Sequence, residues 1–378
     1  MRILFSSCLE EWGGGEHWML STALGLRDRG HHVELACARG SELARRAGAA
    51  GLAVTELVFH GDLDPALSWR YWRLCRRRRI DLLCLNMDKV LRVAGPAARL
   101  AGAVVVPRRG SESPLGGKVS HKLAYLKVAG GVIANSLATR ATLLASAPWL
   151  PPDKVRVISN GIDVGRYALD DDACAAARAE VRAEAGAGPG TPVLGMVGEL
   201  TTRKNHLVVV RQLGALRASH PGLQLWLVGE GPERGALLAA ARDAGAGDAL
   251  RLLGFRDDVP RLLQGIDVFC HPARREGFGY AVVEAMAAGK PVVVARASNL
   301  PEIVPDGVAG LLRDPDDGEG WRAAVASLLD DPALAARLAG AGRRRAGELY
   351  SHGRMLDEVE AHFRELLRPD GRDAAGRQ

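Results

Sequence analysis

Cysteine is scarce in this chain and lies in no ligand pattern. Six cysteines, at positions 8, 37, 75, 84, 174 and 270, are scattered over 378 residues without a Cys-x-x-Cys pair. That spacing offers no metal or redox site, and thiols inside apolar runs read as buried core residues of a reducing cytoplasm. Long apolar runs are also missing. No uninterrupted stretch could span a bilayer, and Ile3 to Phe5 is too short for the core of a signal peptide, with acidic residues following. The G-x-G-x-x-G fingerprint is absent as well. Gly13-Gly14-Gly15 has the wrong spacing, and the predicted second strand, ending Leu35-Ala36-Cys37, carries no acid for a ribose 2′-hydroxyl. Nicotinamide dinucleotides are therefore disfavoured. The arginine runs accompany no nucleic-acid-binding module. The formal net charge of +6 and pI of about 9.1 fit anionic substrates or an anionic membrane surface. They fit a bias towards arginine and alanine equally well.

What is present is regular alternation. Short apolar runs are separated by helical stretches along the whole chain, the pattern of doubly wound parallel sheets. Strands are predicted at Ile3–Ser6, Val33–Ala36, Val54–Leu57, Leu82–Leu85, Val104–Val106, Val132–Ala134 and Val155–Ile158. A second set follows at Val193–Val197, Leu225–Val228, Arg251–Leu253, Val268–Cys270, Val292–Ala295 and Gly310–Leu312. The expected organisation is a first domain over 1–165, a linker over 166–190, and a second domain over 191–352. A helix over 353–368 and a polar, disordered tail over 369–378 complete it. Within the linker, Gly186 to Gly190 reads as the flexible stretch.

The segment Arg275 to Val294 carries the most chemistry. Glu276 and Glu284 bracket seven residues. Gly277-Phe278-Gly279 lies at a predicted helix start, and Gly289-Lys290-Pro291 stops that helix. A helix N-terminus behind glycine offers free N–H groups and a positive dipole end, which suits a diphosphate. Glu276 lies just before this terminus and Glu284 about two turns in. Upstream, Arg203 and Lys204 occupy the loop after Val193–Val197, either on a developing negative charge or as a solvated basic loop.

These motifs resemble the retaining, nucleotide-sugar-dependent glycosyltransferases of group 1, the family 4 type with the GT-B fold. The resemblance runs in order along most of the chain. It includes Gly13-Gly14-Gly15-Glu16, Gly30-His31-His32-Val33, Ala134-Asn135-Ser136 and Asn160-Gly161-Ile162-Asp163. It continues through Gly198-Glu199-Leu200 with Lys204-Asn205, Gly229-Glu230-Gly231-Pro232, and Gly254-Phe255. It implies two Rossmann-like domains facing an interdomain cleft, with the last helix crossing back to the first domain. It implies a nucleoside-diphosphate sugar as co-substrate, no cofactor and no metal. Lys204, helped by Arg203, would meet the diphosphate, and Glu276 the donor-sugar hydroxyls. Phe278 and Gly279 would offer backbone N–H groups beside Gly277, and Glu284 would hold the ribose. Gly14, Gly15, Gly198, Glu199 and Phe255 would line the donor.

Two departures stand out. Glu199 occupies a position where the family usually has arginine. In the first domain, Arg109 lies where a histidine is usual, so Arg109, His121 and Asn135 are the acceptor-side candidates. The glycine turn itself reads either as a plain tight turn or as a close approach to the donor. Asp62-Leu63-Asp64 has a D-x-D form, but reads as a turn with Asp64 capping the helix that starts at Pro65. Two basic stretches with aromatic edges, Trp69 to Arg79 and Lys118 to Lys127, suit an anionic membrane surface. They equally suit a solvated helix face with Trp69 and Trp72 packed inside. The expected activity is transfer of a sugar to a cell-envelope glycan or glycolipid by a cytoplasmic, membrane-peripheral enzyme. A silent carbohydrate-binding protein and a nucleotide-sugar epimerase are the alternatives.

Overall fold

The apolar runs pair as parallel strands in two separate sheets. A computed structural model describes residues 1–61, 64–168 and 170–368. The first sheet contains β1 (Arg2–Ser7), β2 (His32–Ala38), β3 (Ala53–Leu57), β4 (Leu82–Leu85), β5 (Val104–Arg109), β6 (Val132–Ala134) and β7 (Val155–Val157). Its order is β3-β2-β1-β4-β5-β6-β7. The second contains β8 (Val193–Val197), β9 (Gln224–Val228), β10 (Leu250–Gly254), β11 (Val268–His271), β12 (Val292–Ala295) and β13 (Leu311–Arg313). Its order is β10-β9-β8-β11-β12-β13. Each predicted strand overlaps one of these. Parallel strands are covered on both faces, so they are apolar throughout rather than alternating. Every residue of β4 and of β12 is buried.

The chain divides into two compact units: Met1–Gly161 together with the chain from Gly353 onward, and Ile162–His352. In the first unit, the helices Pro65–Arg78, Asp88–Leu100 and Leu137–Ser146 cover one face of the sheet. The helices Gly14–Asp28, Glu42–Ala49 and His352–Leu367 cover the other. Met355, Leu356, Val359 and Phe363 recur at helical spacing on the last of these and are buried. Phe363 reaches within 6.5 Å of the Phe5 ring. Each such side chain contributes about 1.5–3 kcal/mol on burial.

Three expectations need amendment. The helix Asp171–Glu184, inside the expected linker, is part of the second unit. Its Arg182 is 3% exposed and pairs with Asp267 at 2.6 Å. The same guanidinium donates to the carbonyls of Gly188, Pro189 and Thr191 at 3.0, 2.9 and 2.8 Å, so the Gly186–Gly190 stretch is tied down, not free. Glu284 lies one turn into its helix, not two. Gly279 is left-handed (φ 93°) and caps the helix Tyr280–Ala287, so 276–279 remain loop. Trp69 and Trp72 are 54% and 40% exposed, so neither packs inside.

Asp64 does cap Pro65–Arg78, accepting from the Leu67 N–H at 2.9 Å. Asp62 and Leu63, and the tail 369–378, lie outside the described residues. None of the six cysteines is in a disulfide, and Cys37, Cys75, Cys84 and Cys270 are buried.

Candidate active site

In the second sheet the chain builds β8, β9 and β10 outward, then returns to place β11 on the other side of β8. Ligands of open α/β sheets bind outside the carboxyl ends of the strands at such a reversal. The loops that follow β8 and β11 carry Gly198 to Asn205 and Pro272 to Gly279. They are fastened to each other. Arg274 N–H donates to the Arg203 carbonyl at 3.0 Å, and Arg203 Nη1 donates to the Arg275 carbonyl at 3.2 Å. Gly229, at the end of β9, has φ 140°, and a Cβ there would sit 2.1 Å from the Gly198 carbonyl. Glycine is what lets these backbones touch.

Glu276 is the hub. Its Oε2 meets Lys204 Nζ at 2.5 Å and His271 Nε2 at 2.8 Å. Oε1 accepts from the Gly277 N–H at 3.0 Å, and the Glu276 N–H donates to Ser298 Oγ at 3.1 Å. The Lys204 and Glu276 side chains are 13% and 10% exposed. Burial opposes ionisation of Glu276, but the His271 hydrogen bond and the Lys204 charge outweigh it and hold the carboxyl well below its usual range. Burial, seconded by Lys204, pushes His271 down, so the neutral ring donates Nε2–H to the carboxylate. His206 is pushed to about 3 by burial, then by His271 and Lys204. This assembly suits hydroxyl and anion binding. It does not suit proton abstraction, because so acidic a carboxyl is a poor base.

Around the hub, Asn299 Nδ2 donates to the Phe278 carbonyl at 2.7 Å and fixes the loop before the helix. Burial raises the Glu284 carboxyl above its usual value, against the opposing effects of Tyr167 and Arg166. Phe255, just past β10, is 67% exposed, an aromatic face left bare beyond a strand end. Glu199 pairs loosely with Arg203 at 3.9 Å. Gly198 is adjacent to Lys204, a Cβ on it lying 3.8 Å from Nζ.

The first unit has its own reversal, between β1 and β4. There Gly14 and Gly15 open the helix Gly14–Asp28. Asn86, past β4, donates to the Gly15 carbonyl at 3.0 Å. Glu16 is buried and accepts from Ser7 Oγ at 2.9 Å. Arg108 stacks over Trp18 at 4.2 Å and donates to Asn160 Oδ1 at 2.7 Å and to Asn86 Oδ1 at 3.4 Å. Arg109 turns to the opposite face of the sheet. It is bound to Asp88 at 2.6 Å and to the Ser113 carbonyl at 2.5 Å, an internal fastening. His121 bonds Arg92 at 2.9 Å and the Gly116 carbonyl at 3.0 Å. Asn135 is 1% exposed and bonded to the Gly110 carbonyl and to Thr139. Thus Arg108, not Arg109, stands beside the glycine turn. Among the described residues no group of three or more His, Cys, Asp or Glu is gathered to hold a metal ion.

Comparison with known proteins bears on this geometry. Residues 177–345 match the family described as glycosyl transferases group 1, and residues 12–166 match glycosyltransferase family 4. A GDP-mannose-dependent alpha-(1-6)-phosphatidylinositol monomannoside mannosyltransferase of Mycolicibacterium smegmatis is 30% identical over 317 residues, 80% of this chain and 82% of that protein. The chain belongs to the group 1, family 4 glycosyltransferases. A D-inositol 3-phosphate glycosyltransferase of Segniliparus rotundus is 30% identical over 67% of this chain, but the match spans only 57% of that protein. The fold is that of Alr3699/HepE of Anabaena, crystallised with UDP, with a TM-score of 0.86 at 22% identity over 97% of this chain and 100% of that one.

Within this family member the second unit brings Arg203, Lys204, Gly198, Glu276 and Gly277 to one pair of loops. Sequence reasoning missed His271, Ser298, Asn86 and Arg108. His271 had a faint signal, a histidine closing an apolar strand five residues before an acid. The others had none, since each acts through a contact distant in sequence.

Proposed function

We propose that this glycosyltransferase family member moves a sugar from a nucleoside-diphosphate sugar to a cell-envelope glycan or glycolipid, with retention at the anomeric carbon and without a metal. The carrying observation is the Lys204–Glu276–His271 cluster at the reversal of the second sheet. Lys204 has three donors and spends one on Glu276. The others suit the donor diphosphate, with Arg203 beside it. Glu276 takes donor-sugar hydroxyls, the N–H groups of Phe278 and Gly279 face the phosphate, and Glu284 takes the ribose.

A strongly acidic Glu276 held by Lys204 and His271 favours same-face attack over double displacement. The bond from the anomeric carbon to the phosphate oxygen breaks as the acceptor oxygen bonds to that carbon. The acceptor proton passes to the departing phosphate oxygen. Cations placed where this negative charge develops lower the barrier most.

The acceptor side is proposed to work at an anionic membrane face from the cytoplasm. Trp69 and Trp72 are exposed on Pro65–Arg78, and Val119 and Leu123 are exposed one turn apart beside Lys118 and Lys122. Both sets of residues lie amid a basic surface. Among the described residues no helix is long and apolar enough to cross a membrane.

Thermal unfolding with UDP, GDP and ADP, and with NAD as control, tests the donor reading. One nucleoside diphosphate should raise the melting temperature by mass action. Stabilisation by NAD alone overturns it. Transfer measured with EDTA, and the anomeric configuration of the product by NMR, test the other two statements. Activity abolished by EDTA and restored by Mg²⁺, or an inverted product, overturns each in turn.

A further inference from the structure

We propose that Ser298 and Asn299 are positioning residues for the donor, a pair that clamps the loop 276–278 at both ends. The inference rests on the donor reading proposed above. The two residues follow β12, the neighbour of β11 in the second sheet. Ser298 Oγ accepts from the Glu276 N–H at 3.1 Å, and Asn299 Nδ2 donates to the Phe278 carbonyl at 2.7 Å. One residue therefore holds the first backbone group of the loop, and the next residue holds the last.

Consecutive side chains on an extended segment point to opposite sides. Two neighbours reach one loop only where the chain turns between them. Ser298 makes that turn with φ 53°, a left-handed value for a non-glycine residue. A serine there is strained where a glycine would not be. Asn299 adds a second unfavourable feature. It is 1% exposed, and among the described residues its Oδ1 is buried without a partner. An apolar side chain would avoid that penalty. Strain and an unpaired polar atom in one dipeptide mark a place kept for function.

The chain that follows lies against the same loop. The helix Leu300–Ile303 begins directly after Asn299, and a Cβ on Gly279 would lie 3.2 Å from Leu300 and 3.3 Å from Ile303. Lys204 and His271 hold the Glu276 carboxylate, whereas Ser298 holds its backbone. Without that bond the carboxylate stays tethered, but the N–H groups of Phe278 and Gly279 drift from the phosphate they would meet. Small misplacements of such groups are enough to weaken a site.

Ser298→Gly and Ser298→Ala test the clamp. Both remove the hydroxyl, and only alanine keeps the strain. Each variant is read by its melting temperature, by hydrogen exchange of the peptide spanning 276–279, and by calorimetry with UDP, GDP and ADP. Both should exchange that peptide about tenfold faster and bind the nucleoside diphosphate about tenfold more weakly, the scale of one hydrogen bond. The two losses should be alike, although glycine gives the higher melting temperature of the pair. Affinity that follows the melting temperature instead shows a merely structural role and overturns the inference. Unchanged exchange, or faster exchange with wild-type affinity, also overturns it, and each leaves the donor site standing. A wild-type protein that binds none of the three nucleotides overturns the donor reading and the inference with it.

Discussion

Lys204 and Glu276 are 72 positions apart and close as an ion pair of 2.5 Å, each on the loop that follows one of two neighbouring strands, β8 and β11. The pair exists because parallel strands deliver their following loops to the same edge. It also leaves both groups poised for a ligand, since neither ion is sealed from solvent.

Lys204→Ala should lower turnover by ~10²-fold or more, the usual scale for losing one transition-state charge partner. Glu276→Ala should be as severe. Steady-state kinetics with a saturating donor decide it, and unchanged kcat in both variants removes the proposed site.

Acid should destabilise the fold through buried histidines. Burial pushes His206 to about 3 and His362 to about 4, from an ordinary 6.5. Both bind their proton more weakly when folded, so their stabilising effect is full above 6.5 and is lost progressively as pH falls from 6.5 towards the folded values of about 3 and 4. At pH 5 each should cost about 2 kcal/mol. Urea midpoints between pH 7.5 and 5 measure the slope, and His362→Leu should flatten it.

Arg109→Ala should act on stability. Arg109 and Asp88 are 10% and 25% exposed in their pair. Removing the arginine strands a partly buried carboxylate, at a cost of about 3 kcal/mol. Denaturant unfolding should show this, while Arg108→Ala should loosen the glycine turn through Asn86. Equal stability of wild type and Arg109→Ala would contradict the fastening role.

Gly279→Ala should be poorly tolerated. Its φ of 93° is left-handed, and a Cβ would lie 3.2 Å from Leu300 and 3.3 Å from Ile303. The conformation alone costs roughly 1–2 kcal/mol for a non-glycine residue. A melting temperature equal to wild type would show that the loop can re-form without glycine.

Binding to anionic vesicles should need the exposed aromatic and basic helix. Neutralising Arg76 to Arg79, or replacing Trp69 and Trp72 with serine, should each reduce sedimentation with anionic liposomes. Salt should weaken it through screening. Protein that stays in the supernatant with every lipid argues for an acceptor free in solution.

By itself the sequence determined the two sheets and the place of each strand along the chain. Parallel strands are buried on both sides, so β4, β5, β8 and β12 announce themselves as short apolar runs, and Asp64-Pro65 announces a helix start. Motif resemblance brought Lys204, Glu276 and Glu284 forward, because the residues around each are local. Only the tertiary structure decided how they are held. Arg108 and Arg109 are neighbours on β5, and successive strand residues point to opposite faces. Which arginine meets the glycine turn depends on the helices packed on each face: Trp18 on one, Asp88 and Tyr125 on the other. His271 reaches the Glu276 carboxylate, and Ser298 the Glu276 N–H, because the neighbouring strands β11 and β12 end at one edge. No sequence window contains those distances, because they are set by packing between segments remote along the chain.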